Sequence, residues 1–274
     1  MLLLIVPIIA LLLGASLLLL GSGLLNTLLA IRGGLEAYPD DTMGLIMSGY
    51  FVGFFVGTFI ALPLIQRVGH IRAFTCCAAL ASCSVLLHVL FVNPLGWLLL
   101  RIMTGAALVI LYTVIESWLN TQSTGAQRGR VFAVYMVVNL GSLAIAQQFI
   151  RFGSPSGFIL FAISAMLITV SLLPIALTRM NQPDITVVPR LKISAIAKLS
   201  PVAVAGSLLS GLAMGGFWGL SAIYASDIGL TSSGVATFMS CAILGGALFQ
   251  YPLGRYSDTH DRRRVIIAVT ALAA

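Results

Sequence analysis

Three ionisable side chains stand inside long apolar runs of a 274-residue chain in which only 8% of residues are charged: Arg101, Glu116 and His88. A charge within hydrocarbon is costly unless water, a partner or a solute stabilises it, so such groups mark ion or solute pathways. On a helix turning about 100° per residue, Arg101, Gly105, Leu108, Tyr112 and Glu116 share one broad face. Arg101 falls about 10 Å inside the outer end of its run and Glu116 about 22 Å further along, so they do not pair with each other. An arginine at that depth either lines a polar cavity, binding an anionic group or influencing proton coupling, or snorkels to the outer interface. Glu116 is either a protonatable carboxylate facing the cavity or part of a helix end, "ESWLN", with Trp118 as an interfacial anchor. His88, near the outer end of its own run, reads as a satisfied or interfacial histidine rather than a proton carrier.

The runs themselves are membrane spans. Hydrophobic residues make up 59% of the chain and mean hydropathy is +1.06, too apolar for a polar surface to cover. Eight spans are predicted, at 3–30, 43–65, 72–93, 95–118, 130–150, 156–178, 201–225 and 233–253, with apolar character resuming at Val265 as the start of a ninth. The first run, Leu2 to Ile31, lacks a basic leader and exceeds a signal-peptide core, so it is predicted to be a retained helix. Basic residues gather in alternate connections: Arg67 and Arg72; Arg128 and Arg130; Arg179, Arg190, Lys192 and Lys198; then Arg255, Arg262, Arg263 and Arg264. The other set holds Arg32 and Arg151 with Glu36, Asp40, Asp41 and Asp227. The positive-inside rule places the first set, and the N-terminus, in the cytoplasm. The formal net charge of +7 is thus topological and gives no sign of nucleic-acid binding. Cys76, Cys77, Cys83 and Cys241 all fall within spans as packing residues, with no metal-site spacing. No nucleophile–base pair, metal cluster or phosphate-binding loop is present in the sequence, so no catalytic residue, metal or enzyme activity is expected.

The polar stretch from Arg179 to Pro201 divides six spans from the rest. Shifting the chain by the separation of Gln66 and Asp258 lays the second span on the eighth, with Gly53 over Gly245, and the first on the seventh, with Gly23 over Gly215. Parallel repeats of this kind belong to transporter architectures. "GRYSDTHDRRR", Gly254 to Arg264, resembles the signature of the major facilitator superfamily: a Gly, three residues, an Asp, then a basic cluster after the second helix of each half. "LLLRIMTG", Leu98 to Gly105, is similar to the family's fourth-helix pattern, and with "NTLLA", "SGYFVGFFVG", "ESWLN" and "RGRVFAVYM" the order most resembles the YcaD-type branch.

The resemblance covers the whole chain and implies an all-α integral membrane protein of two parallel six-helix bundles. Residues 1–178 would form the first bundle, 179–200 a cytoplasmic central loop, and 201–274 a partial second bundle. It implies a monomeric secondary transporter in the bacterial inner membrane that moves a small organic solute by alternating access, with the proton as coupling ion and no other cofactor. The alternative is a sensor or structural membrane protein that keeps the fold without transport. By resemblance, Arg101 lines a central cavity, joined on the inferred cavity helices by Tyr112, Glu116, Asn26, Thr27, Tyr50, Tyr135, Asn139, Ser142, Trp218 and Tyr224. Each of these polar and aromatic residues also has a packing or helix-to-helix hydrogen-bonding reading. "NLGSLAIAQQF" lacks the proline of drug antiporters, which lowers a drug-export reading.

The same resemblance gives the charged connections a conformational role. Asp258 would latch onto the N-terminus of the fifth helix, "QRGRVF", where Arg128 and Arg130 add opposite charge and Gly254 permits close approach. The alternative is that Asp258 and Asp261 solvate a loop beside Arg262, Arg263 and Arg264. In the first half, "QRVGHIRAF" supplies Gln66, Arg67, Gly69 and Arg72. Gln66 stands where the family has Asp, and an amide brings no charge to a helix end, so the first latch is expected to be the weaker.

Overall fold

The structure, a computed structural model, describes residues 8–123, 125–177, 183 and 198–273, with the backbone alone at 125–127, 251, 254, 258, 262 and 273. Expectations for Arg179, Arg190 and Lys192, and for the side chains of Asp258 and Arg262, lie outside the described residues. Among these residues the elements are helical. They are α1 (Ile9–Leu35), α2 (Asp40–Val68), α3 (His70–Leu90), α4 (Pro94–Gln122), α5 (Gly125–Gln148) with a 3₁₀ turn at Phe149–Phe152, α6 (Ile159–Ala176, interrupted at Ser171), α7 (Pro201–Asp227), α8 (Ser232–Thr259) and α9 (Arg262–Ala273). α1 to α8 are each long and apolar enough to cross a membrane.

The helices overrun their apolar stretches. α1 continues past the predicted end at residue 30 because Arg32 and Glu36, one turn apart, pair at 2.5 Å and support another turn. Arg32, expected in a connection, is therefore in the last turn of α1. α4 starts where Asn93 accepts a hydrogen bond from the Gly96 amide at 2.7 Å and Pro94 occupies the first turn.

The basic connections are shorter than expected. Gln66 and Arg67 belong to α2 and Arg72 to α3; Gly69 alone joins the two helices, at φ +84°, a left-handed conformation suited to glycine. "GRYSDTHDRRR" is likewise not a loop, because α8 runs to Thr259 and α9 begins at Arg262. Asp261 does more than solvate this joint: its Oδ1 accepts the Arg263 amide at 2.9 Å, capping α9.

α2 lies along α4 closely enough that a Cβ at Gly53 would fall 1.9 Å from the Ile102 carbonyl oxygen, and one at Gly105 2.0 Å from the Tyr50 carbonyl oxygen. α3 packs between α4 and α6, while α1 touches α5, α6 and α7. Buried polar side chains tie these crossings: Ser84 to Thr104 at 2.8 Å, Ser164 to the Gly21 carbonyl at 2.8 Å, and Thr27 to Gln147 Oε1 at 2.5 Å. Each such bond is worth roughly 0.6 to 2 kcal/mol.

Candidate functional site

α4 presents Arg101, Thr104, Leu108, Tyr112 and Glu116 to a cavity of about 400 Å³. The opposite walls come from α1 (including Ser22, Gly23 and Asn26), α2 (Tyr50, Phe51, Phe54), α5 (Tyr135, Met136, Asn139 among others) and Trp218 of α7. The size suits a small organic ligand. The close α2–α4 crossing brings Tyr50 against α4, and its ring sits 4.8 Å from the Arg101 guanidinium carbon. Arg101 is 2% exposed, so it turns into the cavity and not toward the protein surface. Its Nη2 donates to Asn26 Oδ1 at 2.9 Å, and Asn26 Nδ2 donates to the Trp218 carbonyl at 2.8 Å. One chain of contacts therefore links α4, α1 and α7.

At the far end of the same face, Tyr135 Oη donates to Glu116 Oε1 at 3.4 Å. Asn139, one turn from Tyr135, lines the cavity with its buried Oδ1 unpartnered. Of the residues anticipated for the cavity, Asn26, Tyr50, Arg101, Tyr112, Glu116, Tyr135, Asn139 and Trp218 are brought together.

Tyr224 is not among them. It lies nearly two turns beyond Trp218 on α7, where it is 60% exposed among the described residues. Thr27 and Ser142 also turn away from the cavity, to Gln147 and to Ser16 Oγ at 2.8 Å. Trp118 is fully buried against His70 and is no interfacial anchor; α4 extends to Gln122 and carries it into the α3 contact. His88 is buried too, with Nδ1 2.7 Å from the Ser84 carbonyl and its own carbonyl accepting the Trp97 indole N–H at 3.0 Å.

Sequence reading missed Phe54, although it stands one helical turn from Tyr50 on the same face. It also missed the α5–α8 seam. Gln148 Nε2 donates to Ser240 Oγ at 2.6 Å, Ser240 Oγ donates to the Ala144 carbonyl at 2.8 Å, and Arg151 donates to Thr237 Oγ1 at 2.8 Å. At the start of α5, Arg128 donates to Asn120 Oδ1 of α4.

Eight apolar helices long enough to span a membrane, around an interior cavity that among the described residues carries one buried cation, define a multi-pass membrane protein with an interior ligand-sized cavity. The comparisons with known proteins narrow this further. The Major Facilitator Superfamily matches residues 11–274, and the chain belongs to that family. An "Uncharacterized MFS-type transporter" of Yersinia pestis (strain Pestoides F) is 30% identical over 269 residues, covering 95% of this chain and 69% of the relative. "Uncharacterized MFS-type transporter YcaD" of Escherichia fergusonii is 28% identical over 262 residues with the same coverage. Among solved structures, a mutant of nucleoside transporter NupG superposes with a TM-score of 0.73 at 13% identity, over 92% of this chain and 68% of that one. Unmutated NupG gives 0.70, and at this identity both establish the fold alone. The chain is thus a multi-pass membrane protein of a transporter family.

Proposed function

We propose that the protein is a secondary active transporter that moves a small organic solute through the Arg101 cavity by alternating access, with protons as the coupling ion. The observation that carries this reading is the cavity itself, walled by helices from both sides of the 179–200 division and holding a buried guanidinium. The two halves would rock about this site. The α5–α8 side-chain bonds support a state closed at one end, because they gather near the N-terminus of α8. Glu116, the carboxylate on the cavity wall, is the proposed proton carrier, with Tyr135 as its hydrogen-bond donor.

Reconstitution into proteoliposomes under an imposed pH gradient tests this. Solute accumulation should follow the gradient, and Glu116→Gln should uncouple it while leaving exchange of solute across the membrane. Binding without any flux would instead favour the sensor reading.

A further inference from the structure

We infer that the transported solute is a small organic monoanion, its carboxylate seated on Arg101 and its apolar body against Tyr50, Phe54 and Tyr112. This rests on the transport reading above and names the solute class for that site. The starting point is a missing counter-charge. Among the described residues the one ion pair is Arg32 with Glu36, outside the cavity. Glu116 is the only carboxylate among the described cavity-lining residues, and it stands fifteen positions along α4 from Arg101, about 22 Å away by helical rise. Among the described residues the Arg101 guanidinium is met only by neutral groups, the Asn26 amide oxygen and the Tyr50 ring, while its Nε is buried without a partner among them.

A neutral acceptor and a π face do not cancel a buried charge, and an uncompensated one is strongly destabilising. Asn26 has little more to give, because its amide nitrogen is held by the Trp218 carbonyl and its one oxygen faces a group with five N–H donors. A carboxylate would supply both the charge and the paired acceptors that fit a guanidinium fork. A neutral solute would leave the charge unmet, and a cation would be repelled.

The rest of the cavity defines the body of the solute. Tyr50 and Phe54 lie 5.9 Å apart between ring centroids, and Phe54 and Tyr112 6.2 Å, forming an aromatic wall from α2 to α4. Arg101 is the single cation among the described lining residues, so one anionic group is matched and a second would be unpaired.

The test uses the full chain in nanodiscs and calorimetric titration with benzoate and its uncharged counterpart benzamide. Benzoate should bind at least tenfold more tightly than benzamide. Arg101→Gln should weaken benzoate binding by roughly ten- to hundredfold, the worth of a hydrogen bond to a charged group, and weaken benzamide binding much less. Asn26→Asp, which sets a resident carboxylate at the 2.9 Å position, should also weaken benzoate binding while keeping Arg101 in place. Equal binding of the two probes, no benzoate binding, or unchanged benzoate affinity in Asn26→Asp overturns the assignment. Benzoate that binds with the expected pattern but is not moved in proteoliposomes overturns the transport reading and leaves the anion site standing. A neutral solute carried normally by Arg101→Gln does the reverse.

Discussion

Replacing Gly53 by alanine should separate α2 from α4 and damage the cavity without touching any group that lines it. The new Cβ would stand 1.9 Å from the Ile102 carbonyl oxygen, 2.7 Å from its carbon and 2.8 Å from the Ile102 Cα. All three are backbone atoms, so no side-chain rotation relieves the clash. Restoring an ordinary carbon–oxygen separation of about 3.4 Å requires the helices to part locally by about 1.5 Å. Gaps of half to one ångström already forfeit a quarter to a half of the dispersion attraction at a contact. Overpacking of this kind costs about 1 to 3 kcal/mol, and the backbone location argues for the upper end. The same displacement would move Tyr50, 4.8 Å from the Arg101 guanidinium, to the limit of cation–π range near 6 Å.

Denaturant unfolding in mixed micelles, with Gly245→Ala as control, measures the effect. Gly245 has nothing within 4 Å of its added Cβ, so that variant should be neutral or gain up to about 1 kcal/mol from helix propensity. If Gly53→Ala unfolds within about 0.5 kcal/mol of Gly245→Ala, the close α2–α4 crossing is wrong, and with it the placement of Tyr50 beside Arg101.

The distribution of basic residues predicts that Arg190→Cys reacts with an impermeant maleimide only from the cytoplasmic side and Asp40→Cys only from outside; the reverse pattern would invert the orientation. Gln148→Leu should remove the bonds to Ser240 and the Ala236 carbonyl and loosen α5 from α8. Spin labels on the two helices should then sample longer distances at that end, whereas an unchanged distribution would mean that the seam does not hold it closed.

The cavity was largely legible because helical period places Arg101, Tyr112 and Glu116 on one face and tight glycine packing turns that face inward. Family resemblance supplied which helices meet. Tyr224 is absent from the cavity lining because being on a cavity helix does not fix the position along it, and Tyr224 lies nearly two turns beyond Trp218. Gln147 and Gln148 were invisible for a different reason: adjacent amides near a helix end look like ordinary polar residues, yet one bonds α1 and the other α8. The charged connections were misread as loops because the hydropathy of a span ends before its hydrogen bonding does. Gly69 ends α2, α8 runs on to Thr259 and Asp261 caps the start of α9, so the helices do not stop at the first arginine. The repeat aligned Gly53 with Gly245, but the first is packed against α4 and the second stands open among the described residues.

The most direct measurement is the reactivity of Asn139→Cys, a cavity position, in a protein whose Cys76, Cys77, Cys83 and Cys241 have been replaced by serine or alanine. Oriented membrane vesicles of both senses are treated with an impermeant maleimide. Alternating access predicts labelling from either side, with Gln148→Leu raising the rate from the side on which the α5–α8 bonds lie. Labelling from one side only, at every imposed pH gradient and in both proteins, would contradict alternating access at this cavity.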